Sequence, residues 1–132
     1  MQNSNERVEE LVISAKNAIE NAYAPYSHFK VGAAVLTETG KIYSGCNVEN
    51  GSFGATNCAE RTAIFKAVSE GERKIKAVAI ASADGRITPP CGICRQVMSE
   101  FMEDNGLVIL ACNDGENKVY TLSQLLPERF LY

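Results

Sequence analysis

Residues 77–94 read AVAIASADGRITPPCGIC and hold, in order, a strand, a loop and the start of a helix. Residues 77–83 are a short apolar run of strand length, and residues 84–90 have the turn-rich composition of a loop. A helix is predicted from about Gly92, with a buried face formed by Val97, Met98, Phe101 and Met102. The segment therefore predicts a strand whose carboxyl end leads into a helix at Cys91 and Cys94.

The sequence before this segment predicts a helix, a hairpin and a further helix. Residues 6–23 carry apolar side chains at helical spacing, and the helix ends at residues 24–27 because Pro25 cannot continue it. Residues 31–37 and 41–48 are predicted strands joined by the turn Glu38-Thr39-Gly40. Residues 50–57 have loop composition, and from Cys58 the pattern is helical until Gly71 supplies a stop.

The sequence after residue 94 completes the sheet. Asp104-Asn105-Gly106 is predicted to end the helix that starts near Gly92, and residues 107–112 form an apolar run suited to a buried strand. Residues 118–120 are a last strand, and Thr121 and Gln124 have capping-box spacing for a short helix that ends at Pro127. This order predicts an α/β fold, a three-layer α/β/α sandwich around a mixed five-stranded sheet.

Length and composition limit the class of protein. A chain of 132 residues with 45% hydrophobic and 22% charged residues is expected to fold as one domain over residues 1–132. The net charge of −3 disfavours nucleic acid as a partner, because such binding needs many Lys and Arg contacts. There is no apolar run of membrane-spanning length, and residues 1–10 lack the pattern of a signal peptide. We therefore expect a cytoplasmic protein with a small-molecule substrate and no membrane partner.

Three of the five cysteines have the spacing of a metal site. Cys91 and Cys94 form a Cys-x-x-Cys pair, and in a reducing compartment such a pair is more typical of metal or redox chemistry than of a structural disulfide. Cys58 also stands where a predicted helix begins at the carboxyl edge of the sheet, so the three thiols are expected to meet. Three thiolates would hold one Zn²⁺ per chain and leave an open position for water.

Glu60 and two arginines complete the predicted centre. Glu60 lies two helical positions beyond Cys58, so its side chain approaches the metal from another direction and can take a proton from water there. Three thiolates on Zn²⁺ leave a formal negative charge, and Arg61 is predicted to offset it by donating to the thiolates. Arg95 is a weaker candidate for the same role. Cys58-x-Glu60 followed by Pro90-Cys91-x-x-Cys94 matches the three-cysteine form of the known zinc deaminase signature.

The chain resembles a cytidine deaminase of the small homotetrameric type with three cysteine zinc ligands. The resemblance covers nearly the whole chain and rests on five stretches: Ala24-Pro25-Tyr26-Ser27, Phe29-Lys30-Val31-Gly32-Ala33-Ala34, Gly45-Cys46-Asn47-Val48-Glu49-Asn50, Cys58-Ala59-Glu60-Arg61-Thr62-Ala63 and Leu125-Leu126-Pro127. It implies zinc-dependent hydrolysis of cytidine and deoxycytidine to uridine and deoxyuridine, with release of ammonia, in pyrimidine salvage. Hydroxide formed at the zinc would attack C4 of the base while Glu60 shuttles protons.

The resemblance also implies the substrate contacts. Asn47 and Glu49, at a spacing that places both on one face of a strand, correspond to the ribose-binding pair of the family. Phe29 corresponds to an aromatic residue that packs on the nucleoside, and the Ala59 backbone and Glu60 to the groups that contact the base. Phe130 resembles an aromatic residue contributed by a neighbouring subunit of a homotetramer with shared active sites. Phe53 stands where some relatives carry tyrosine, so it lacks that hydroxyl.

Other interpretations of these residues remain open from the sequence. The three cysteines are compatible with a structural zinc site in an interaction module, although such sites usually close with a fourth ligand. Cys46 and Cys112 are predicted to be buried small apolar residues, and His28 a surface residue outside the site. A blasticidin-S deaminase would share the zinc motifs, whereas deamination of cytosine in nucleic acid is disfavoured by the acidic charge balance.

Overall fold

The computed structural model describes residues 4–132, so Met1–Asn3 of the predicted polar N-terminal segment lie outside the described residues. The helices are α1 (Ser4–Ala18), α2 (Ala59–Ser69), α3 (Gly92–Phe101) and α4 (Leu122–Leu125), and the strands are β1 (Val31–Thr37), β2 (Ile42–Cys46), β3 (Ile75–Ser82), β4 (Met102–Leu110) and β5 (Lys118–Thr121). Among the described helices, none combines the length and the apolar character required to cross a membrane.

The strands form one mixed sheet in the order β2-β1-β3-β4-β5. β1 pairs antiparallel with both β2 and β3, β3 pairs parallel with β4, and β5 is antiparallel to β4. The predicted hairpin turn is present: Gly40 has a φ of +91°, which glycine adopts at no steric cost. Because β2 and β3 are both antiparallel to β1, they point the same way and their carboxyl ends share an edge.

Helices cover both faces of the sheet, as the predicted three-layer architecture requires. Alternate residues of each strand point to opposite faces, so the apolar residues divide into two cores. One core joins the sheet to α2 and α3 and includes Val78, Ile80, Val108 and Leu110. The other core packs α1 against mainly small side chains, among them Ala34, Ala77, Ala79, Ala81 and Ala111. Small side chains on that face allow the single helix to approach closely.

Both helices that lead from the shared strand edge begin at a cysteine. Cys58 is the N-cap of α2, which follows β2, and Cys91 is the N-cap of α3, which follows β3. α2 ends as predicted near Gly71, whose φ of +103° and N–H bond of 3.0 Å to the Val68 carbonyl stop the helix. The topology thus brings the two cysteine motifs to one edge.

Several predicted boundaries are wrong. α1 ends at Ala18 and continues as a 3₁₀ turn over Ile19–Asn21, and β2 ends at Cys46 rather than at residue 48. α3 gives way to β4 at Met102, so residues 104–106 lie inside β4 instead of breaking a helix. Ile75 pairs with Met102 but Ala77 pairs with Leu107, which leaves residues 103–106 in a bulge. The bulge tolerates the Asp-Asn-Gly sequence within a strand.

The last elements agree better with the sequence. β5 extends the predicted strand by one residue, and Thr121 and Gln124 form the predicted capping box at the start of α4. α4 ends at Leu125, before Pro127. Cys46 and Cys112 are half-buried rather than buried, because Cys46 is the last residue of β2 and Cys112 lies beyond the end of β4.

Candidate active site

The three predicted zinc ligands converge where α2 and α3 begin. The sulfur atoms of Cys58, Cys91 and Cys94 all lie within 4.8 Å of one another, and the Cys58 and Cys91 sulfurs are 3.8 Å apart. Tetrahedral zinc with Zn–S bonds of about 2.3 Å requires ligand sulfurs roughly 3.8 Å apart. Both the donor chemistry and the spacing therefore fit a zinc ion with three protein ligands.

Within the cysteine cluster, Cys58 loses its proton more readily than Cys94. Its pKa is lowered to about 5 by a hydrogen bond from the Cys94 thiol and, after a countervailing effect of burial, by the guanidinium of Arg61. The pKa of Cys94 is raised, because that thiol donates to Cys58 and is buried. Cys91 is the exposed member of the cluster, and its sulfur accepts the Cys94 N–H at 3.5 Å. Cys58 is thus the thiol that ionises more readily than Cys94, and the thiolate is the form that binds metal.

Glu60 is a buried acid in the first turn of α2. It is 5% exposed, and burial raises its pKa to about 7, with the negative charge of Cys58 acting in the same direction. A carboxyl group whose pKa lies near the working pH can both accept and donate a proton. Ala59, which precedes it, is fully buried at the start of the helix. The structure therefore places a buried carboxyl group with a raised pKa beside the thiol cluster.

The two arginines next to the motifs have different partners. Arg61 donates from Nη2 to the Cys58 sulfur at 3.4 Å, and its buried Nε finds no acceptor within residues 4–132. Arg95 instead donates from Nε to the Pro90 carbonyl at 2.9 Å and from Nη1 to the Leu125 carbonyl at 2.8 Å. Arg61 is thus the arginine that approaches a thiol, whereas Arg95 ties α3 to α4.

Asn47 and Glu49 lie beyond the end of β2, not on a regular strand, and bind the segment that precedes β1. Asn47 accepts the Val31 N–H at 2.9 Å and donates to the Phe29 carbonyl at 2.8 Å. Glu49 is 8% exposed, and its Oε1 accepts the backbone N–H groups of residues 26 and 27 at 2.9 and 3.1 Å. Its Oε2 accepts the Ser27 hydroxyl. Both side chains therefore shape the segment that carries Phe29.

Phe29 and Phe130, the two predicted aromatic contacts, differ in burial, and Phe53 is more exposed than either. Phe29 is half-buried, and the guanidinium of Arg86 lies 5.6 Å from its ring centroid. Phe53 is 82% exposed and lines a cavity of about 240 Å³ together with Glu49. Phe130 is 66% exposed, and its backbone carbonyl accepts from Gln96 at 3.3 Å. His28 is exposed, as predicted.

A larger cavity lies away from the cysteines. Its volume is about 560 Å³, and it is lined by residues 74–76 at the start of β3 and by the C-terminal end of α3. The zinc-ligand candidates are at the opposite, N-terminal end of α3, roughly 15 Å along a helix of that length. We therefore do not associate this cavity with the cysteine cluster.

Sequence reasoning missed two residues that shape the site. Gly45 lies under α2, where a Cβ atom would stand 2.5 Å from the backbone nitrogen of Ala63. Ser27 donates to Glu49 and accepts the Phe29 N–H at 3.0 Å. Both residues occur in the stretches on which the family resemblance rests, but neither residue type by itself indicates a contact partner.

Comparison with known proteins identifies the family. Residues 5–111 match the family model of the cytidine and deoxycytidylate deaminase zinc-binding region. The chain is 51% identical over 124 residues to a cytidine deaminase of Sporosarcina psychrophila, covering 93% of this chain and 90% of the relative. The crystal structure of a Burkholderia pseudomallei cytidine deaminase superposes with a TM-score of 0.86 at 47% identity, covering 92% of this chain and 98% of that one. A Mycobacterium tuberculosis cytidine deaminase gives a TM-score of 0.82 at 36% identity, with coverages of 95% and 98%.

The matches extend over the fold and over both cysteine motifs. Thiol donors at zinc-compatible spacing agree with the zinc-binding region that the family model describes. The chain therefore belongs to the zinc-dependent cytidine and deoxycytidylate deaminase family.

Proposed function

We propose that this protein is a cytidine deaminase that hydrolyses cytidine and deoxycytidine to uridine and deoxyuridine. One water is consumed and one ammonia is released for each base converted. The observation that carries the proposal is the cluster of three thiols within 4.8 Å of one another, with the buried acid Glu60 on the same helix turn as Cys58. Family membership agrees with this reaction.

Cys58, Cys91 and Cys94 would hold one zinc ion per chain. When bound, zinc lowers the pKa of water and so makes a hydroxide nucleophile available near neutral pH for attack on C4 of the base. The N-terminal ends of α2 and α3 favour the negative charge of the three thiolates. Arg61 offsets part of that charge through its hydrogen bond to Cys58.

Glu60 would move the protons of the reaction. Its carboxylate would take one proton from the attacking water to the ring nitrogen beside C4 and a second from the new C4 hydroxyl to the amino group, so that ammonia leaves as a neutral molecule. Burial suits this cycle, because it raises the pKa of Glu60 to about 7 and makes both protonation states accessible. The backbone of Ala59, next to Glu60, would contact the base.

Asn47, Glu49 and Phe29 would bind the nucleoside. A carboxylate offers about four lone-pair positions, and three hydrogen bonds from residues 26 and 27 leave capacity on Glu49 for a sugar hydroxyl. Asn47 makes one bond through its amide oxygen and one through its nitrogen, so each retains capacity as well. The half-buried ring of Phe29 supplies an apolar surface for the nucleoside.

Assembly and cellular role are further parts of the proposal. A homotetramer with Phe130 completing a neighbouring active site is supported by the exposed apolar residues Phe130, Leu131 and Tyr132 at the C-terminus. Nucleoside deamination would serve pyrimidine salvage. A cytoplasmic location is supported by the need to keep the ligand thiols reduced.

The substitution Glu60→Gln tests the catalytic proposal. We expect one zinc per chain to be retained while cytidine turnover falls by roughly two to four orders of magnitude, because an amide cannot transfer the proton. Atomic absorption and the loss of cytidine absorbance measure the two quantities. Cys46→Ser serves as a control and should retain both zinc and activity, because Cys46 lies outside the cluster. Undiminished turnover in Glu60→Gln would refute the proton-transfer role.

A further inference from the structure

Ser27 joins two of the proposed substrate contacts through one hydroxyl group. The hydroxyl donates to Oε2 of Glu49 and accepts the backbone N–H of Phe29 at 3.0 Å. The backbone N–H of Ser27 donates in addition to Oε1 of Glu49 at 3.1 Å. Ser27 thus contacts both oxygens of the carboxylate and the backbone of the aromatic residue.

The segment around Ser27 is held in a specific conformation. His28 has a φ of +60°, which is uncommon for a residue with a side chain, and its N–H donates to the Ala24 carbonyl at 2.9 Å. Asn47 binds the backbone of Phe29 and Val31 on the far side of the turn. Such a conformation persists only when surrounding contacts determine it, and the hydroxyl of Ser27 lies at its centre.

Glu49 is a carboxylate at the wall of a small cavity. It is 8% exposed, and Tyr26, Ser27 and Glu49 line the cavity of about 240 Å³. The hydrogen-bond donors around the carboxylate are two backbone amides and a hydroxyl, and the side chain of His28 lies nearby. Without the Ser27 hydroxyl, Oε2 would lose its only hydrogen bond from the described residues, and the carboxylate would be held through Oε1 alone.

We propose that Ser27 is a positioning residue that directs the Glu49 carboxylate toward a sugar hydroxyl of the nucleoside and holds Phe29 in register with it. This inference rests on the proposed function, in which Glu49 binds the sugar. It assigns to Ser27 the selectivity for nucleosides that carry ribose or deoxyribose hydroxyls. The Ser27 hydroxyl also lowers the pKa of Glu49, so the group that accepts a hydrogen bond from the sugar hydroxyl is an ionised carboxylate.

The test compares two substrates that differ in the sugar hydroxyls. Ser27→Ala is assayed with cytidine and with 2′,3′-dideoxycytidine, the latter as substrate or as competitive inhibitor of cytidine turnover. We expect the KM for cytidine to rise about tenfold with kcat changed less than about twofold, as for a lost hydrogen bond that acts in binding. The KM or inhibition constant for dideoxycytidine should change less than about twofold, because it lacks the 2′- and 3′-hydroxyls that Glu49 would bind.

Three further variants make the result specific. Ser27→Thr keeps the hydroxyl at an exposed position and should restore the KM for cytidine. Ser69→Ala removes an exposed hydroxyl that donates to the Lys66 carbonyl at 2.8 Å, outside the site, and should leave both constants unchanged. Glu49→Gln tests whether Glu49 contacts the sugar. It should raise the KM for cytidine more than the KM or inhibition constant for dideoxycytidine.

Each outcome decides the inference. If Glu49→Gln distinguishes the two nucleosides but Ser27→Ala weakens both equally or neither, the role of Ser27 is overturned and that of Glu49 stands. If Glu49→Gln does not distinguish them, the sugar contact in the proposed function is wrong, and the inference fails with it. Retained zinc and a Ser27→Ala protein that is fully folded at the assay temperature show that any effect on KM arises in the site.

Discussion

Arg61 is the residue that we propose balances the charge of the zinc centre. Three thiolates and a divalent cation carry a net negative charge, which disfavours formation of hydroxide at the metal. Arg61 donates to Cys58 at 3.4 Å, while its Nε is buried without a partner in the described part of the chain. The guanidinium therefore brings its positive charge close to the thiolates, although one of its own N–H groups has no acceptor in that part of the chain.

The substitution Arg61→Gln should therefore lower kcat by roughly tenfold or more, since a hydrogen bond to a charged group contributes about 1.5–3 kcal/mol. Zinc should remain near one per chain, because all three thiols persist. Steady-state kinetics and metal analysis check both expectations. Arg95→Gln is the matched comparison: its partners are two backbone carbonyls, so it should reduce the free energy of unfolding. An Arg61→Gln enzyme with normal kcat would contradict the charge argument.

Glu49 gives a pH-dependent contribution to stability. Its pKa is lowered from 4.5 by the Ser27 hydroxyl and, after an opposing effect of burial, by the backbone N–H groups of residues 27 and 26. A carboxyl group with a lowered folded-state pKa stabilises the protein above its unfolded-state pKa and loses that contribution as the pH falls through the folded-state value.

We therefore expect Glu49→Gln to be less stable than the wild type at pH 7, with the difference shrinking as the pH falls below 4.5. Urea unfolding of both proteins at pH 7, 5 and about 3.5 measures the difference in their free energies of unfolding. Asp104→Asn removes a charge from an ion pair with Arg129 at 3.1 Å that is mostly exposed on the carboxylate side, and should change stability little at any pH. A difference that is constant down to the lowest pH would contradict the prediction.

At the scale of elements, the approach of α2 to β2 sets the position of the site. Gly45 has no side chain at the point of contact, and an added Cβ would lie 2.5 Å from the Ala63 nitrogen and 2.9 Å from the Thr62 carbonyl carbon. Backbone atoms cannot rotate away as a side chain can. A bulkier residue at position 45 would thus push away the helix that carries Cys58 at its N-cap and Glu60 in its first turn.

Gly45→Ala should lower the free energy of unfolding by about 1–3 kcal/mol, the usual cost of overpacking, and should lower kcat as well. Gly115→Ala is the control, because a Cβ there would meet no atom within 4 Å. Denaturant unfolding and cytidine turnover of the two variants provide the comparison. A stable and fully active Gly45→Ala protein would show that α2 can shift without disturbing the site.

Element boundaries could be predicted where the signal is local. The capping box of Thr121 and Gln124 and the stop at Gly71 are set by residues within one turn, and both are observed. The predicted helix break at residues 104–106 is wrong, because pairing with β3 through a bulge outweighs the preference of Asp, Asn and Gly for turns. Strand pairing is a long-range interaction that residue propensities do not contain.

At the scale of the whole molecule, the C-terminal residues form an exposed apolar patch. Phe130 and Leu131 are about two-thirds exposed, at 66% and 65%, and Tyr132 is fully exposed. Consecutive apolar residues at the surface of one chain are typical of a contact with another protein. In the proposed homotetramer they would be covered by neighbouring subunits.

Deleting residues 130–132 should raise the KM for cytidine while leaving zinc near one per chain, because the cysteine cluster lies elsewhere in the chain. Kinetics with metal analysis test the substrate contact, and light scattering tests whether the tetramer persists. Phe130→Leu separates the aromatic contact from assembly, since leucine keeps the apolar volume but not the ring. An unchanged KM in both variants would refute the contribution of Phe130 to a neighbouring site.

The sequence by itself determined the zinc-ligand candidates, the acid beside them and the α/β fold. These follow from donor chemistry at short spacing and from hydrophobic periodicity, which are properties of neighbouring residues. Only the tertiary structure decided that Arg61 rather than Arg95 approaches a thiol, and that Glu49 and Asn47 bind the segment around Ser27. Those contacts depend on strand register and on how closely helices pack on the sheet, and both are set by interactions between residues far apart in the chain.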